Sequence, residues 1–360
     1  MLDDLEELVS CESCSADHAA VARSAQVVAE QGHRLLGARP QMLVTGGVTH
    51  VRWSFGTPRV LLLGHHDTVW PMGSLKTHPF SVADGVARGP GVFDMKGGLV
   101  QMFHALAGLP SLDGVCVLVT GDEEVGSGTS RALIEDTARA CRAALVLEAA
   151  APGGALKTSR KGVSHYGLTV HGRAAHSGLE PEKGINAATE LAHHLLALQD
   201  ITDTVTARTG PGTTITPTVM SAGTTDNTVP ARAELSIDAR VPSPAAQAAV
   251  DELIKGLAPH HPGARLQVDG GPNRPPLDAE AAQSLFALAC EVAARSGLGP
   301  LQQAAVGGAS DGNYTAGVGC PTLDGLGAVG DGAHADHEHV VTATMPPRAQ
   351  LLAHLVGALL

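Results

Sequence analysis

The sequence predicts an α/β fold in which a mostly parallel central sheet is flanked by helices and interrupted by an inserted α+β domain. Short apolar runs that end in acidic or histidine-bearing loops predict buried parallel strands. Up to residue 148 these runs alternate with helical patterns, as in a sheet covered on both faces. From residue 161 to 272 the order changes to β-α-β-β-α-β, which is typical of a ferredoxin-like unit.

The first region contains two predicted helices and three predicted strands. Residues 19–36 form an amphipathic opening helix, and residues 99–106 form an apolar helix after a glycine-rich turn. The strands are the apolar runs 60–63, 115–120 and 143–147. Because α/β proteins carry their chemistry on loops at the carboxyl ends of such strands, the residues that follow each run are candidates for a functional site.

The inserted domain, residues 161–272, contains four predicted strands and two predicted helices. The strands are 165–170, 213–221, 232–240 and 265–268, and the helices are 185–198 and 244–257. The first pattern resumes near Arg274, with a helix at 279–295 and a last helix that ends at Leu360. The chain therefore leaves a discontinuous domain, residues 1–160 and 273–360, and returns to it.

Composition and charge argue against nucleic acid or a membrane as partner. The 360 residues suffice for two domains, and with 44% hydrophobic but only 2% aromatic residues, Ala, Val and Leu must fill the cores. The 24 basic and 36 acidic residues give a net charge of −12, which disfavours phosphate-rich partners. No run approaches the ~18 apolar residues of a membrane span, and the acidic start lacks a signal-peptide pattern, so a cytoplasmic location is expected.

The strongest functional signal begins at Gly64-His65-His66-Asp67-Thr68-Val69. Residues two apart in an extended chain face the same way, so Asp67 can hold the far nitrogen of a metal-ligating His65. More carboxylates and one histidine follow in glycine-rich turns and strand ends, namely Asp94, Glu123, Glu124, Glu148 and His334. Oxygen and imidazole donors without cysteine suit two borderline divalent ions such as Zn²⁺. The six cysteines form no such site and are expected to be reduced thiols.

This constellation resembles the co-catalytic dizinc aminoacylase and carboxypeptidase family, and within it the glutamate carboxypeptidase-like branch. The resemblance spans nearly the whole chain and is most specific in residues 64–98, which include Asp67-Thr68-Val69-Trp70 and Gly89-Pro90-Gly91. It implies a zinc-peptidase-like catalytic domain, an inserted lid and dimerisation domain, and two Zn²⁺ per subunit, with Co²⁺ or Mn²⁺ as alternatives. Met95 stands where the family often has a second aspartate, at a position that does not ligate metal.

The resemblance also implies a role for each matching residue. Two ligand sets share one bridging carboxylate: His65, Asp94 and Glu148 for one ion, and Asp94, Glu124 and His334 for the other. Glu123 matches the general base, and Asp67 matches the acid that orients His65. Among the other histidines, His66 is expected only to pack.

Four further candidates lie in the inserted domain or just after it. His176, in Gly172-Arg173-Ala174-Ala175-His176-Ser177-Gly178, matches a lid histidine that donates a hydrogen bond to the oxyanion, usually in the partner subunit, so a homodimer is expected. Asn227 and Arg240 match positions that hold the terminal carboxylate of the substrate, and a planar guanidinium suits that task. Arg274 adds a second cation for an acidic side chain. The simpler interpretations are a surface histidine for His176, a turn residue for Asn227 and a solvated arginine for Arg240.

Three functions follow from these assignments. The first is hydrolysis of an amide bond in a small peptide or N-acyl amino acid, releasing a C-terminal residue such as glutamate by zinc-activated water with a glutamate general base. The second is an aminoacylase or deacetylase that removes a small acyl group. The third is a metal-binding homologue without catalysis, which would be expected to have lost Glu123 or a bridging ligand; this chain keeps both. The sequence leaves open the acyl group, the released amino acid and whether the substrate is a protein conjugate.

Overall fold

The computed structural model describes residues 1–360 and divides into two compact units. Unit 1 comprises Met1–Arg160 and Leu277–Leu360, and unit 2 comprises Lys161–Pro276. The chain returns to unit 1 after residue 276 rather than after residue 272, because the last strand of unit 2 continues to Arg274.

Nine α-helices and sixteen β-strands make up the two units. The helices are α1 (Leu2–Ser10), α2 (His18–Leu36), α3 (Gly97–Ala107), α4 (Arg131–Arg139), α5 (Ala187–Thr209), α6 (Pro244–Lys255), α7 (Ala279–Arg295), α8 (Gly312–Gly317) and α9 (Met345–Leu359). The strands are β1 (Gln41–Thr45), β2 (Val48–Ser54), β3 (Val60–His65), β4 (Ser81–Ala83), β5 (Val86–Arg88), β6 (Val115–Thr120), β7 (Ala143–Val146), β8 (Leu156–Arg160), β9 (Gly162–His171), β10 (Thr214–Ala222), β11 (Arg232–Val241), β12 (Arg265–Arg274), β13 (Gln303–Val306), β14 (Thr322–Leu323), β15 (Gly330–Asp331) and β16 (His339–Val341). None of the helices combines the length and the hydrophobicity that a membrane-spanning helix requires.

The central sheet of unit 1 has six strands in the order β1-β2-β6-β3-β7-β14. The four strands from β6 to β14 pair in parallel, while β1 and β2 form an antiparallel extension at one edge. This mixed sheet confirms the predicted α/β class, and its parallel part is the part that the apolar runs predicted. The carboxyl ends of β3, β6 and β7 meet at one edge of the sheet, where the candidate site lies.

Alternating residues of β3 enter two different cores, which explains why the whole strand is apolar. Val60 and Leu62 belong to a cluster that includes residues of α3 and α9. Leu61 and Leu63 belong to a second cluster, with Ile134 of α4 and Tyr314 of α8. Helices therefore cover both faces of the sheet and hold its strand ends in fixed positions.

A small antiparallel sheet, β15-β16-β5-β4, was not predicted from the sequence. Its strands are two or three residues long, which is too short for a period-two pattern of apolar residues to be visible. The sheet matters for the site because the connection between β15 and β16 carries His334 and Glu338.

Unit 2 has the predicted β-α-β-β-α-β order, with a four-stranded antiparallel sheet in the order β10-β11-β9-β12. Helices α5 and α6 pack on this sheet through a shared apolar core. Helix α5 begins two residues later than predicted because Asn186 caps it, accepting hydrogen bonds from Ala188 and Thr189. It also continues past residue 198, since Ile201 and Val205 extend its buried stripe.

Candidate metal centre and active site

The predicted ligands lie on loops at the carboxyl ends of the strands of unit 1. His65 is the last residue of β3, and Glu148 follows β7. Glu124 lies in a 3₁₀ turn, Glu123–Val125, that follows β6. His334 follows β15 with φ 63°, a conformation that costs about 1–2 kcal/mol for a residue with a Cβ atom. Residues strained in this way cluster at functional sites.

Asp94 lies between two histidines. Its Oδ1 atom is 3.3 Å from His65 Nε2, and its Oδ2 atom is 3.4 Å from His334 Nε2. Each histidine nitrogen also faces a second carboxylate, with Glu148 Oε1 at 3.5 Å from His65 and Glu124 Oε2 at 3.1 Å from His334. The structure thus brings together both predicted sets, with Asp94 common to the two.

Three buried atoms of this cluster lack hydrogen-bond partners: His65 Nε2, Asp94 Oδ1 and Glu124 Oε1. Leaving a polar atom buried without a partner costs about 1–3 kcal/mol. Two groups of side chains could each share an ion, because one ligand atom from each member lies within 4.8 Å of the others. The groups are His65, Asp94 and Glu124, and His65, Glu123 and Glu148. Since imidazole nitrogen and carboxylate oxygen are the usual ligands of Zn²⁺, these residues fit a metal centre.

The charges of the cluster favour a cation. The close approach of the Asp94 and Glu124 carboxylates raises the pKa of His334 to about 10. Burial alone would raise the pKa of Asp94, but the neighbouring His334 and His65 outweigh it and hold that pKa well below its usual range. The carboxylates therefore favour a positive charge at the two histidines. A metal ion would compete with protons for the histidine nitrogens.

Asp67 is fully buried and organises two parts of the site. His65 Nδ1 donates to the backbone carbonyl of Asp67 at 3.0 Å, and one carboxylate oxygen lies 3.5 Å from the same nitrogen. This leaves Nε2 as the nitrogen of His65 that could bind a metal. The carboxylate also accepts from Ser15 Oγ at 2.7 Å and from the backbone N–H groups of Glu123 and Glu124 at 3.2 and 3.3 Å. Asp67 thus also fixes the turn that carries both glutamates.

The two adjacent glutamates point in different directions. Glu124 reaches His334, whereas the Glu123 carboxylate lies beside His65 and Glu148 and is only 7% exposed. The side chains diverge because the pair lies in a 3₁₀ turn.

A buried cation that was not predicted from the sequence lies behind Glu148. Arg160 Nη2 donates to Glu148 Oε2 at 3.3 Å, while its Nε donates to Asp324 Oδ2 at 2.7 Å. Arg160 thus holds one oxygen of Glu148 and leaves the other facing His65. No local motif could reveal this, since Arg160 and Asp324 are 164 positions apart.

The remaining candidates lie in unit 2, and their roles stay predictions. His176 is exposed and its Nδ1 accepts the N–H of Gly178 at 3.1 Å, so Nε2 carries the proton. Arg240 forms a two-pronged ion pair with Asp238, at 2.7 and 2.9 Å. The backbone carbonyl of Asn227 accepts the N–H of Ser177 at 2.9 Å. The backbone carbonyl of Arg274 accepts Gln247 Nε2–H at 2.9 Å.

His66 is buried, and its Nε2 donates to the carbonyl of Thr49 at 3.1 Å. Burial lowers the pKa of His66 to about 4, below the value of about 6.5 of an unfolded chain. Between pH 4 and pH 6.5 the unfolded state therefore binds more protons than the folded state does. As a result, the free energy of unfolding falls as the pH drops from about 6.5 to about 4. The loss approaches about 3 kcal/mol at pH 4.

We therefore expect His66→Gln to weaken this pH dependence. Urea unfolding of the metal-free protein at pH 7 and pH 4.5 measures it, and the pH-dependent loss should be smaller by about 1–3 kcal/mol in the variant. Using the metal-free form in both cases cancels the titration of the ligand cluster. An equal loss in the two proteins would contradict the assignment.

Comparisons with known proteins agree with this geometry. Residues 61–358 match Peptidase family M20/M25/M40. The chain is 29% identical over 376 residues to Carboxypeptidase G2 of Pseudomonas sp. (strain RS-16), covering 99% of this chain and 88% of that protein. It is 28% identical over 354 residues to succinyl-diaminopimelate desuccinylase of Acidiphilium cryptum (strain JF-5), covering 92% of each. The fold of the M20 family metallo-carboxypeptidase Sso-CP2 of Sulfolobus solfataricus superposes with a TM-score of 0.76 at 17% identity, covering 99% of this chain and 98% of that one.

The matched region contains every residue of the candidate metal centre, from His65 to His334. The resemblance predicted from the sequence is therefore confirmed, and so is the prediction of a metal-dependent hydrolase. The chain belongs to Peptidase family M20/M25/M40.

Proposed function

We propose that the protein hydrolyses the amide bond that precedes a C-terminal amino acid, glutamate or a similar residue, in a small peptide or N-acyl amino acid. Two Zn²⁺ per subunit serve the reaction, with Co²⁺ or Mn²⁺ as alternatives. The observation that supports this most strongly is the position of Asp94, with one carboxylate oxygen toward each of His65 and His334. Glu148 and Glu124 complete the two sets.

The residues around the metal centre divide the chemistry between them. When bound, the metal ions supply a Lewis acid and lower the pKa of water. Glu123 accepts a proton from the attacking water and returns it to the leaving nitrogen, for which its place beside the ligand cluster is suitable. Asp67 keeps Glu123 in that place through its hydrogen bond to the backbone.

Unit 2 supplies recognition in this proposal. The Nε2–H of His176 donates to the oxyanion that develops during attack. Asn227, Arg240 and Arg274 bind carboxylates of the substrate. Because Asp238 already occupies the guanidinium of Arg240, a substrate carboxylate must displace that partner or share the cation with it.

A homodimer through unit 2 is part of the same proposal. Strand β10 lies at the edge of its sheet, and almost all of its side chains are exposed. Val219 and Met220 on this strand are 66% and 61% exposed. An exposed apolar edge strand is suited to pairing with a second copy of the chain.

The expected cytoplasmic location stays a prediction.

A second candidate function is removal of a small acyl group from an amino acid. The similarity to a desuccinylase over 92% of the chain favours it. Both candidates use the same metal chemistry, so the acyl side of the substrate decides between them.

The test is hydrolysis by the zinc-loaded protein across a matched panel. The panel combines acetyl, succinyl, benzoyl and dipeptidyl groups with C-terminal Glu, Asp, Leu and Lys, and free amino acid is measured. We expect release of Glu at least about tenfold faster than of Leu or Lys, since charge pairing in a desolvated pocket discriminates by about 1.4 kcal/mol or more. A preference for one small acyl group, whatever the amino acid, would instead support the second candidate.

Metal removal is the control for this panel. A chelator should abolish hydrolysis, and added Zn²⁺ should restore it. Activity that survives complete metal removal would overturn the proposal.

A further inference from the structure

The carboxylate of Glu338 is 3% exposed and lies against the segment that carries Asp94. Its Oε1 atom accepts the backbone N–H groups of Phe93 and Asp94, at 2.9 and 3.0 Å. Its Oε2 atom accepts the N–H of Gly91 at 3.0 Å and the indole N–H of Trp70 at 2.6 Å. An ionised carboxylate has about four acceptor sites, and all of them are used here.

The segment needs these hydrogen bonds because its backbone is irregular. Gly91 has φ 71°, and Asp94 has φ −115° and ψ 96°, neither of which is helical. A buried backbone N–H requires an acceptor. The N–H of Val92 donates to the carbonyl of Gly89 at 3.1 Å, and Glu338 accepts the other three N–H groups of residues 91–94.

Glu338 also joins two loops of the metal centre. It follows His334 by four positions, on the connection between β15 and β16, while Asp94 lies on a separate loop before α3. The carboxylates and imidazoles close enough to share an ion do not include Glu338. Its place is therefore behind Asp94, where it holds the backbone and does not offer a ligand atom.

Trp70 extends the network to a neighbouring cavity of about 190 Å³. Trp70 and Glu338 both line this cavity, together with His78, Pro79 and Arg88. The Trp70 ring lies 5.0 Å from the His78 ring, so the hydrogen bond to Glu338 fixes one wall of the cavity as well as the ligand loop.

We propose that Glu338 is a positioning residue: its carboxylate fixes the backbone of residues 91–94 and thereby aims the Asp94 side chain between His65 and His334. This inference rests on the metal site of the proposed function. It adds the residue that sets the geometry of the bridging ligand.

The test is Glu338→Gln in the 360-residue chain. The amide replaces one carboxylate oxygen with an NH₂ group, which faces N–H donors and cannot accept from them. We expect the affinity for Zn²⁺ to fall at least tenfold, measured by competition with a chromophoric chelator and without any substrate. We expect kcat to fall more than KM changes. The emission spectrum of Trp70 should also shift, and Trp70→Phe identifies that signal against Trp53, the second tryptophan.

Glu190→Gln is the matched control. Glu190 in unit 2 is also 3% exposed, and its carboxylate accepts the backbone N–H groups of His260 and His261. The same chemical change there should lower the melting temperature but leave the Zn²⁺ affinity within twofold of wild type. If Glu338→Gln also kept Zn²⁺ affinity and kcat within twofold, Glu338 would have only a structural role and the proposal would fall.

Glu338→Asp keeps the test decisive if the glutamine variant does not fold. It retains the charge but is shorter by one methylene group, so it reaches only part of the donor set. An unchanged Zn²⁺ affinity in this variant would overturn the proposal. A wild-type protein that binds Zn²⁺ but cleaves nothing in the substrate panel would overturn the proposed function alone, because the affinity measurement needs no substrate.

Discussion

Asp94→Asn is expected to abolish hydrolysis and to remove both metal ions together. The two oxygens of Asp94 face different histidines, at 3.3 and 3.4 Å, and asparagine keeps only one oxygen. The amide nitrogen that replaces the other oxygen is not a metal ligand. We expect kcat/KM to fall by at least about 10³-fold, since the Lewis acid and the activated water are lost together. Zinc content per chain, measured after gel filtration, should fall from about two to well below one.

His334→Ala is the control for this prediction. It removes a ligand that belongs to only one of the two sets, because His334 faces Asp94 and Glu124 but not Glu148. Its zinc content should fall to about one per chain. If Asp94→Asn kept two ions while remaining folded by circular dichroism, Asp94 would not be the shared ligand.

The sequence predicts the positions of the metal-centre residues well for a physical reason. His65 and Glu148 each follow an apolar run, and parallel strands bring their carboxyl ends to the same edge of a sheet. Wherever a strand is buried on both faces, as β3 is, the run is long enough to recognise. The first ligands could therefore be placed from local pattern, and the family resemblance supplied the others.

The remaining parts of the site depend on contacts that local pattern does not encode. Arg160 meets Glu148 and Asp324 only after the chain has folded, and Glu338 meets the Asp94 loop across 244 positions. Glu123 and Glu124 lie in one 3₁₀ turn, which directs their side chains differently. Asp67, 56 positions earlier, holds this turn by accepting the N–H of Glu123. Arg160 and Glu338 lie behind the predicted ligands, and their contacts depend on the fold and not on a fixed sequence spacing.

Glu123→Gln and Glu124→Gln form a matched pair in which the same substitution at adjacent positions should have different consequences. In the structure Glu124 Oε2 lies 3.1 Å from His334 Nε2, a nitrogen that also faces Asp94, whereas a Glu123 oxygen lies within 4.8 Å of ligand atoms of His65 and Glu148. We expect Glu123→Gln to keep both metal ions and to lower kcat by about 10²–10⁴-fold, the usual effect of losing a general acid–base group. KM should stay within about threefold, because in the proposed mechanism Glu123 acts on the transferred proton and does not bind the substrate.

Glu124→Gln should instead lose one metal ion and regain part of its activity at high Zn²⁺ concentration. Added metal restores a weakened ligand set by mass action, but it cannot replace a missing base. Zinc titration of the activity of the two variants therefore separates ligation from proton transfer at this turn. If Glu123→Gln were the variant rescued by Zn²⁺, the two glutamates would exchange roles, and the general base would have to be sought at Glu124.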